Sequence, residues 1–299
     1  MPPNPYRLRA RAAIGTVLVV VLGVGAYGVY TNFRHGTQPA PPPGCQAGTG
    51  TQAVSLDTDQ AAIAATIAGV AARHRLPPQA VTIAYAAALQ ESQLQNLTYG
   101  DRDSVGVFQQ RPSQGWGTTA ELEDPVYATT KFFSVLAQVR GYTTMPVYQA
   151  AQAVQHSADG SAYQQWTSTA SQLAGYFTGQ DPHGVSCWYV PAAQTDADLA
   201  AVASQLTSTF GPQGREGVVV SFKTARSGQK KSSVADVQVR NGSAWTVVGW
   251  LVAHAQTYGL TEVRYAGYEW KAADGSMGWQ RVSGAPASKS PPHGSIVAG

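Results

Sequence analysis

The sequence predicts a multi-domain chain: an N-terminal transmembrane helix, then a mostly α domain, then a small α+β domain. Three observations predict it. An uncharged apolar run from Ala12 to Phe33 follows three arginines. Apolar residues then recur at helical spacing from Asp57 to about Phe177. Further on, "EGVVVSFKTA" and "ADVQVRNG" alternate as strands do. The expected boundaries are a cytoplasmic stub at 1–11, the membrane helix at 12–33 and a proline-rich linker at 34–55. The helical domain occupies 56–182, a second linker 183–193, the α+β domain 194–285 and a flexible tail 286–299.

As a helix, residues 12–33 span roughly 33 Å at about 1.5 Å per residue, enough for a bilayer core. Tyr27, Tyr30 and Phe33 sit at its far end, where an aromatic belt belongs. Arg7, Arg9 and Arg11 hold the amino terminus in the cytoplasm, so the bulk of the chain is expected outside a single-pass cell-membrane anchor. A cleaved signal peptide is the competing reading. No convincing small-x-small cleavage site follows the run, which favours an uncleaved anchor. "GTQPAPPPGC" then reads as a stiff spacer lifting the next domain off the membrane.

The chain has 2 cysteines, Cys45 and Cys187, both in the exported part and bracketing the helical domain. An export compartment permits a disulfide between them; two free thiols are the alternative. The net charge of +3 is unevenly spread. Residues 1–50 carry four arginines and no acid, residues 51–185 six basic groups against ten acidic, and the remainder ten against seven. No segment is basic enough to make nucleic acid the partner. A single span also cannot form a transport path.

Within the helical domain, Asp57 with Gln60 matches a capping box, and Ile63, Ile67, Val70 and His74 share one face. "LPPQA" ends that helix and starts the next, with Pro78 suited to a first turn. Asp124-Pro125 opens a third helix and Gly141 closes it. Pro146 opens a short one through Val154, and a last one carries Tyr163, Trp166, Leu173 and Phe177. The only strand-like pattern is "VGVF" at 105–108.

Glu91 ends the stripe of Ile83, Ala84, Ala87 and Ala88. A carboxylate at the inner end of such a stripe loses water, which raises its pKa and suits a general acid. The alternative is that Glu91 points outward, or pairs with Arg102 or Arg111. The loop that follows supplies Gly106, the amides of Gln109 and Gln110, Arg111 and Trp116. Amides and aromatic faces suit sugar rings; Trp116 read alone is a hydrophobic anchor.

"ES", thirteen further residues and "GVFQ" resemble the signature of soluble lytic transglycosylases and goose-type lysozymes. The likeness covers Asp57 to Phe177. It implies a lysozyme-like helical fold and cleavage of the peptidoglycan glycan strand. By the same resemblance Glu91 is the catalytic acid/base, Ser92 helps hold it or the substrate, and Gln109 lines the cleft. The family's third motif, Ala-Tyr-Asn-x-Gly, is replaced by "AVQHS". Val154 stands where a tyrosine would orient the glutamate, Gln155 stands for the asparagine, and Tyr163 is the candidate to reach that place from the next helix.

Glycosidases generally pair two carboxylates. Asp101 and Asp103 are the nearby acids that could activate water in hydrolysis. The resemblance implies the other route, in which the muramic acid's own 6-hydroxyl attacks and no second carboxylate is required. Turn chemistry beside Gly100 is the structural alternative for both aspartates. The expected substrate-binding set is therefore Ser92, Asp101, Asp103, Gln109, Arg111, Trp116, Gln155 and Tyr163.

In the tail, Thr195 is expected to cap a helix through Leu206, "AWTVVGWLVAHAQTYG" to form one helix ending at Gly259, and "TEVRYAGYEWKA" a hairpin around Gly267. This layout resembles the zinc-dependent D-alanyl-D-alanine carboxypeptidases. Asp236 matches their aspartate, but "KKSSV" stands where a histidine belongs, and His254 and His293 are isolated. A zinc site needs three protein ligands, so neither metal nor cofactor is expected. The unit reads as a wall-binding module, a dock for an envelope protein partner, or structural packing. For the whole chain, the competing functions are a wall-cleaving enzyme and a non-catalytic wall-binding or scaffolding protein.

Overall fold

The computed structural model describes residues 41–156, 161–191, 196–212, 218–227, 230–239, 243–282 and 295–299. The expected anchor at 12–33, Thr195 and His293 lie outside the described residues. Among the described residues no helix is long and apolar enough to cross a membrane.

Helix α1 (Thr58–Arg73) begins on a capping box in which Gln60 N donates to Asp57 Oδ1 at 2.7 Å and Asp57 N to Gln60 Oε1 at 2.9 Å. Its small residues Ala64, Ala68, Gly69 and Ala71 are buried beside Ile63, Ile67 and Val70, so neighbours approach closely. Helix α2 (Pro78–Ser92) starts with proline in its first turn and packs on α1. Then follow α3 (Thr119–Leu122), α4 (Pro125–Leu136), α5 (Val147–Gln155), α6 (Ser161–Gln164) and α7 (Thr167–Phe177).

Three local expectations change. Helix α4 stops at Leu136, short of Gly141, and the chain leaves through turns at 137–145. The last helix is two, broken at Gln165 and Trp166, whose side chains both donate to Gln90. "VGVF" is a turn closed by a bridge between Val105 and Gln110.

Both expected linkers contribute strands. β1 (Gly44–Ala47), β2 (Val54–Leu56) and β3 (Val185–Trp188) form an antiparallel sheet in the order β2-β1-β3. Cys45 lies opposite Cys187 and the two form a disulfide across 142 residues of chain. Cys45, Ala47, Val185, Ser186 and Cys187 are all buried, so the sheet is covered on both faces along most of β3.

Helix α8 (Leu199–Phe210) starts on Asp198, whose carboxylate accepts from Ala201 N at 3.0 Å. A Cβ at Gly69 of α1 would press on Thr209 and Phe210, so glycine permits the contact between α1 and α8. A six-stranded sheet follows: β4 (Val218–Ser227), β5 (Lys230–Val239), β6 (Glu262–Tyr265), β7 (Tyr268–Lys271), β8 (Gln280–Arg281) and β9 (Ser295–Ala298). Its order is β4-β5-β9-β6-β7-β8, and β6 turns into β7 through Ala266 and Gly267, both in the left-handed region. The last strand thus corrects the expected tail: β9 sits between β5 and β6 with Ile296 and Ala298 fully buried.

Helix α9 (Ala244–Ala253) is buried from Trp245 to Ala253 and packs on α1, α7 and β3. The expected long helix breaks at His254 into α9 and α10 (Ala255–Tyr258), and Gly259 closes it in the left-handed conformation. Residues 42–299 form one compact unit.

Candidate active site

Helix α2 ends without glycine. Gln93 and Leu94 both take left-handed backbone conformations, at φ 56° and 59°. Gln93 N donates to Leu89 O at 3.2 Å and Leu94 N to Ala88 O at 3.1 Å, while the Leu94 side chain is fully buried. The Gln93 bond is that of an αL-type helix end, in which a hydrophobic anchor offsets the strain of two non-glycine residues. It stops the helix just past Glu91.

The stripe leading to Glu91 is buried as expected, with Ile83, Ala84, Ala87 and Ala88 inaccessible. Glu91 itself is half-buried, because the helix reaches the surface there. Tyr163, almost fully buried in α6, donates its hydroxyl to Glu91 Oε1 at 2.7 Å. Neither Arg102 nor Arg111 takes the place of this partner: Arg102 lies 3.9 Å from Asp101, and Arg111 binds Asp103.

Ser92 is buried and staples the helix end to the loop. Its hydroxyl is 2.7 Å from Val107 O and 3.1 Å from Ala88 O, and it accepts from Gln95 N. Ser92 therefore holds the turn. Gly106 has φ +77°, its N donates to Leu97 O, and a Cβ there would collide with the Leu122 carbonyl. Only glycine fits. Phe108 stacks on Phe132 at 4.5 Å, and Gln155 of α5 donates to Phe108 O at 2.8 Å. Gln109, at φ 48°, folds its amide back onto the carbonyls of Gly106 and Tyr99. Gln110 beside it is buried, with neither amide atom paired among the described residues.

Asp103 and Arg111 pair with each other. Arg111 Nε donates to Asp103 Oδ1 at 2.7 Å, and Ser113 N to Oδ2 at 2.8 Å. The hydrogen bonds from Ser113, then that from Arg111, hold the Asp103 carboxyl well below the usual carboxylate range. Asp101 is 92% exposed at the tip of the turn. Trp116 is half-buried against the core and its carbonyl accepts from Tyr127 at 3.5 Å, so it is an anchor of the loop.

Compared with protein-family models and with curated proteins, the chain matches none.

Two contributors were not evident in the sequence. Gln90 Oε1 accepts from Trp166 Nε1 at 2.9 Å and from Gln165 Nε2 at 3.1 Å, which holds the start of α7 beside the residue preceding Glu91. The available signal was Trp166 standing three residues after Tyr163. A groove of about 670 Å³ adjoins this cluster, lined by Gln79, Met145, Tyr148, Gln164 and Gln165 among others. Gln165 thus belongs to both.

In the C-terminal unit, no group of three or more His, Cys, Asp or Glu is placed to hold a metal ion among the described residues. Asp236 is buried in β5. His254 stacks on Trp250 at 4.0 Å, with Nδ1 2.9 Å from Trp250 O and Nε2 3.5 Å from the Thr66 hydroxyl. Burial pushes its pKa down to about 4, against the opposing pull of the Trp250 carbonyl.

Proposed function

We propose that this chain is a membrane-anchored, exported enzyme that cleaves the glycan strand of peptidoglycan, with Glu91 as general acid/base and no cofactor. The observation that carries the reading is the Tyr163–Glu91 hydrogen bond at the strained end of α2. It supplies the orienting tyrosine from a different helix than the resemblance implies, since Val154 is buried and has no hydroxyl.

Tyr163 donates to Oε1, so Oε2 is the oxygen left to pass a proton to the leaving glycosidic oxygen. Glu91 transfers it as the C1–O bond breaks, and positive charge develops on the sugar ring. The resulting carboxylate then takes a proton from the nucleophile. Asp103 is committed to Arg111 and Ser113, and Asp101 is solvated at the loop tip. Neither is arranged as a second catalytic carboxylate, which favours attack by the substrate's own 6-hydroxyl over water. The C-terminal unit, in this reading, binds the wall or an envelope partner.

Digestion of purified cell wall by the full chain, with mass analysis of the products, tests this. Release of anhydro-sugar muropeptides is expected. Glu91→Gln should keep the fold and wall binding, and turnover should fall by roughly two to four orders of magnitude. Wild-type activity in Glu91→Gln refutes the assignment, and binding without release by either protein selects the scaffolding function.

A further inference from the structure

Gln90 and Glu91 are consecutive on α2, and both bind the same short stretch of chain. Tyr163 of α6 donates its hydroxyl to Glu91 Oε1 at 2.7 Å. Trp166 Nε1 donates to Gln90 Oε1 at 2.9 Å, and Gln165 Nε2 donates to the same oxygen at 3.1 Å. The stretch is also tied to itself. Gln165 Nε2 reaches Ala162 O at 3.1 Å, and Trp166 N donates to Tyr163 O at 3.2 Å. Gln90, Glu91, Tyr163 and Trp166 thus close a ring of covalent and hydrogen bonds between α2 and the break before α7.

The ring matters because α6 is weak by itself. It has 4 residues, about one turn, which is too short to keep its own conformation. Burial of the Tyr163 ring holds that residue in the core, but the hydroxyl lies at the far end of the side chain from the backbone. Its aim therefore depends on where the backbone of 163–166 sits against α2. The Gln90 oxygen fixes that position, with an acceptor site for each of the two donors. Gln90 is half-buried, and Trp166 packs half-buried against the core, so water competes weakly for the bond between them. Small errors in the placement of a reacting group are costly in rate.

We infer that Gln90 is a positioning residue, whose side-chain oxygen clamps the α6–α7 break so that Tyr163 presents its hydroxyl to Glu91. Gln90 touches no reacting atom and acts on turnover only through Tyr163. Its effect on rate rests on Glu91 being the acid, while the clamp itself is a property of the free protein.

A double-mutant cycle in the digestion of purified cell wall by the full chain tests the coupling. Gln90→Met, which matches the side chain in length and lacks the oxygen, should lower kcat by roughly fivefold with KM near wild type. Gln90→Glu, which keeps an acceptor oxygen, should stay within roughly twofold of wild type. Adding Gln90→Met to Tyr163→Phe should lower turnover no further than Tyr163→Phe alone, whereas a merely structural role would multiply the two losses. Full turnover in Gln90→Met, or multiplied losses in the double variant, overturns the inference. Full turnover in Glu91→Gln overturns the assignment of the acid instead. A second measurement needs no turnover. The Tyr163 hydroxyl proton, assigned by its loss in Tyr163→Phe, should give a slowly exchanging NMR signal in wild type and in Gln90→Glu. In Gln90→Met it should exchange roughly tenfold faster. Equal exchange in wild type and Gln90→Met overturns the inference whatever becomes of Glu91.

Discussion

Glu91 and His254 both stand at the end of a buried helix, and the fold treats them in opposite ways. His254 stacks on Trp250, and both ring nitrogens lie near oxygen partners. It is packed against α1 as a neutral group. Glu91 has one oxygen held by Tyr163 and lies half-exposed. The residues beyond it take left-handed conformations at Gln93, Leu94, Arg102 and Gln109. Such strain persists where surrounding contacts impose it, and here Ser92, Leu94 and Gly106 impose it. The comparison separates an ionisable group that completes a core from one that a rigid turn leaves half-exposed.

The comparison presumes that the helices carrying the two groups are held in one frame, and the Cys45–Cys187 bridge is its covalent part. Replacing both cysteines by alanine should have the largest effect on stability. For a loop of 142 residues the chain-entropy argument gives about 5 kcal/mol as an upper figure. Denaturant unfolding should show a lower midpoint with activity retained in the folded population. An unchanged midpoint would show that packing of α9 on α1 suffices without the bridge.

Tyr163→Phe sharpens the distinction at Glu91. It removes one hydroxyl and keeps the ring in the core, so melting should change little. Losing the hydrogen bond that orients the Glu91 carboxyl should lower turnover by roughly tenfold. The effect should fall on kcat, with KM near wild type. Equal turnover would make Tyr163 a packing residue like His254.

At His254 the expected signature is pH-dependent stability. Its folded pKa of about 4 lies below the ordinary 6.5, so the unfolded chain binds the proton first. Stability should therefore be full above about pH 6.5, fall as pH drops toward 4, and then level off. The drop is at most about 3 kcal/mol, and less because part of the ring is accessible. His254→Gln should flatten that slope and leave turnover unchanged. A loss of turnover in the variant would place His254 in the chemistry and break the comparison.

Local signals made much of this readable. The Asp57–Gln60 box, Pro78 and Gly259 act within a few residues, and the elements they start or end lie where the sequence puts them. The hairpin at Gly267 is equally local. Strand β9 was not legible because four residues after a stretch rich in proline and serine become a strand only between β5 and β6. β1 and β3 depend in the same way on pairing across 142 residues. At the site, residue types were legible and their tasks were not. Ser92, Gln109 and Asp103 look like ligand contacts in sequence, yet each is used to hold the turn. Tyr163 was reachable only by asking which nearby residue could replace a missing tyrosine.

The smallest effect expected is at Asp101, and it bears directly on which nucleophile attacks. Its side chain is 92% exposed, and its nearest cation, Arg102, is 3.9 Å away and 70% exposed. An exposed pair of this kind contributes little to stability. Asp101→Asn should therefore leave turnover within roughly twofold of wild type, since no general-base role is lost. Asp103→Asn should cost more, because the amide presents one acceptor where the carboxylate now receives both Arg111 and Ser113. That loss should appear as a raised KM and a more protease-sensitive loop at 99–113, with the ratio of anhydro to reducing products unchanged. If Asp101→Asn instead abolishes turnover, or shifts the products, Asp101 activates water. Glu91 would then share the chemistry with a carboxylate carried on the loop tip.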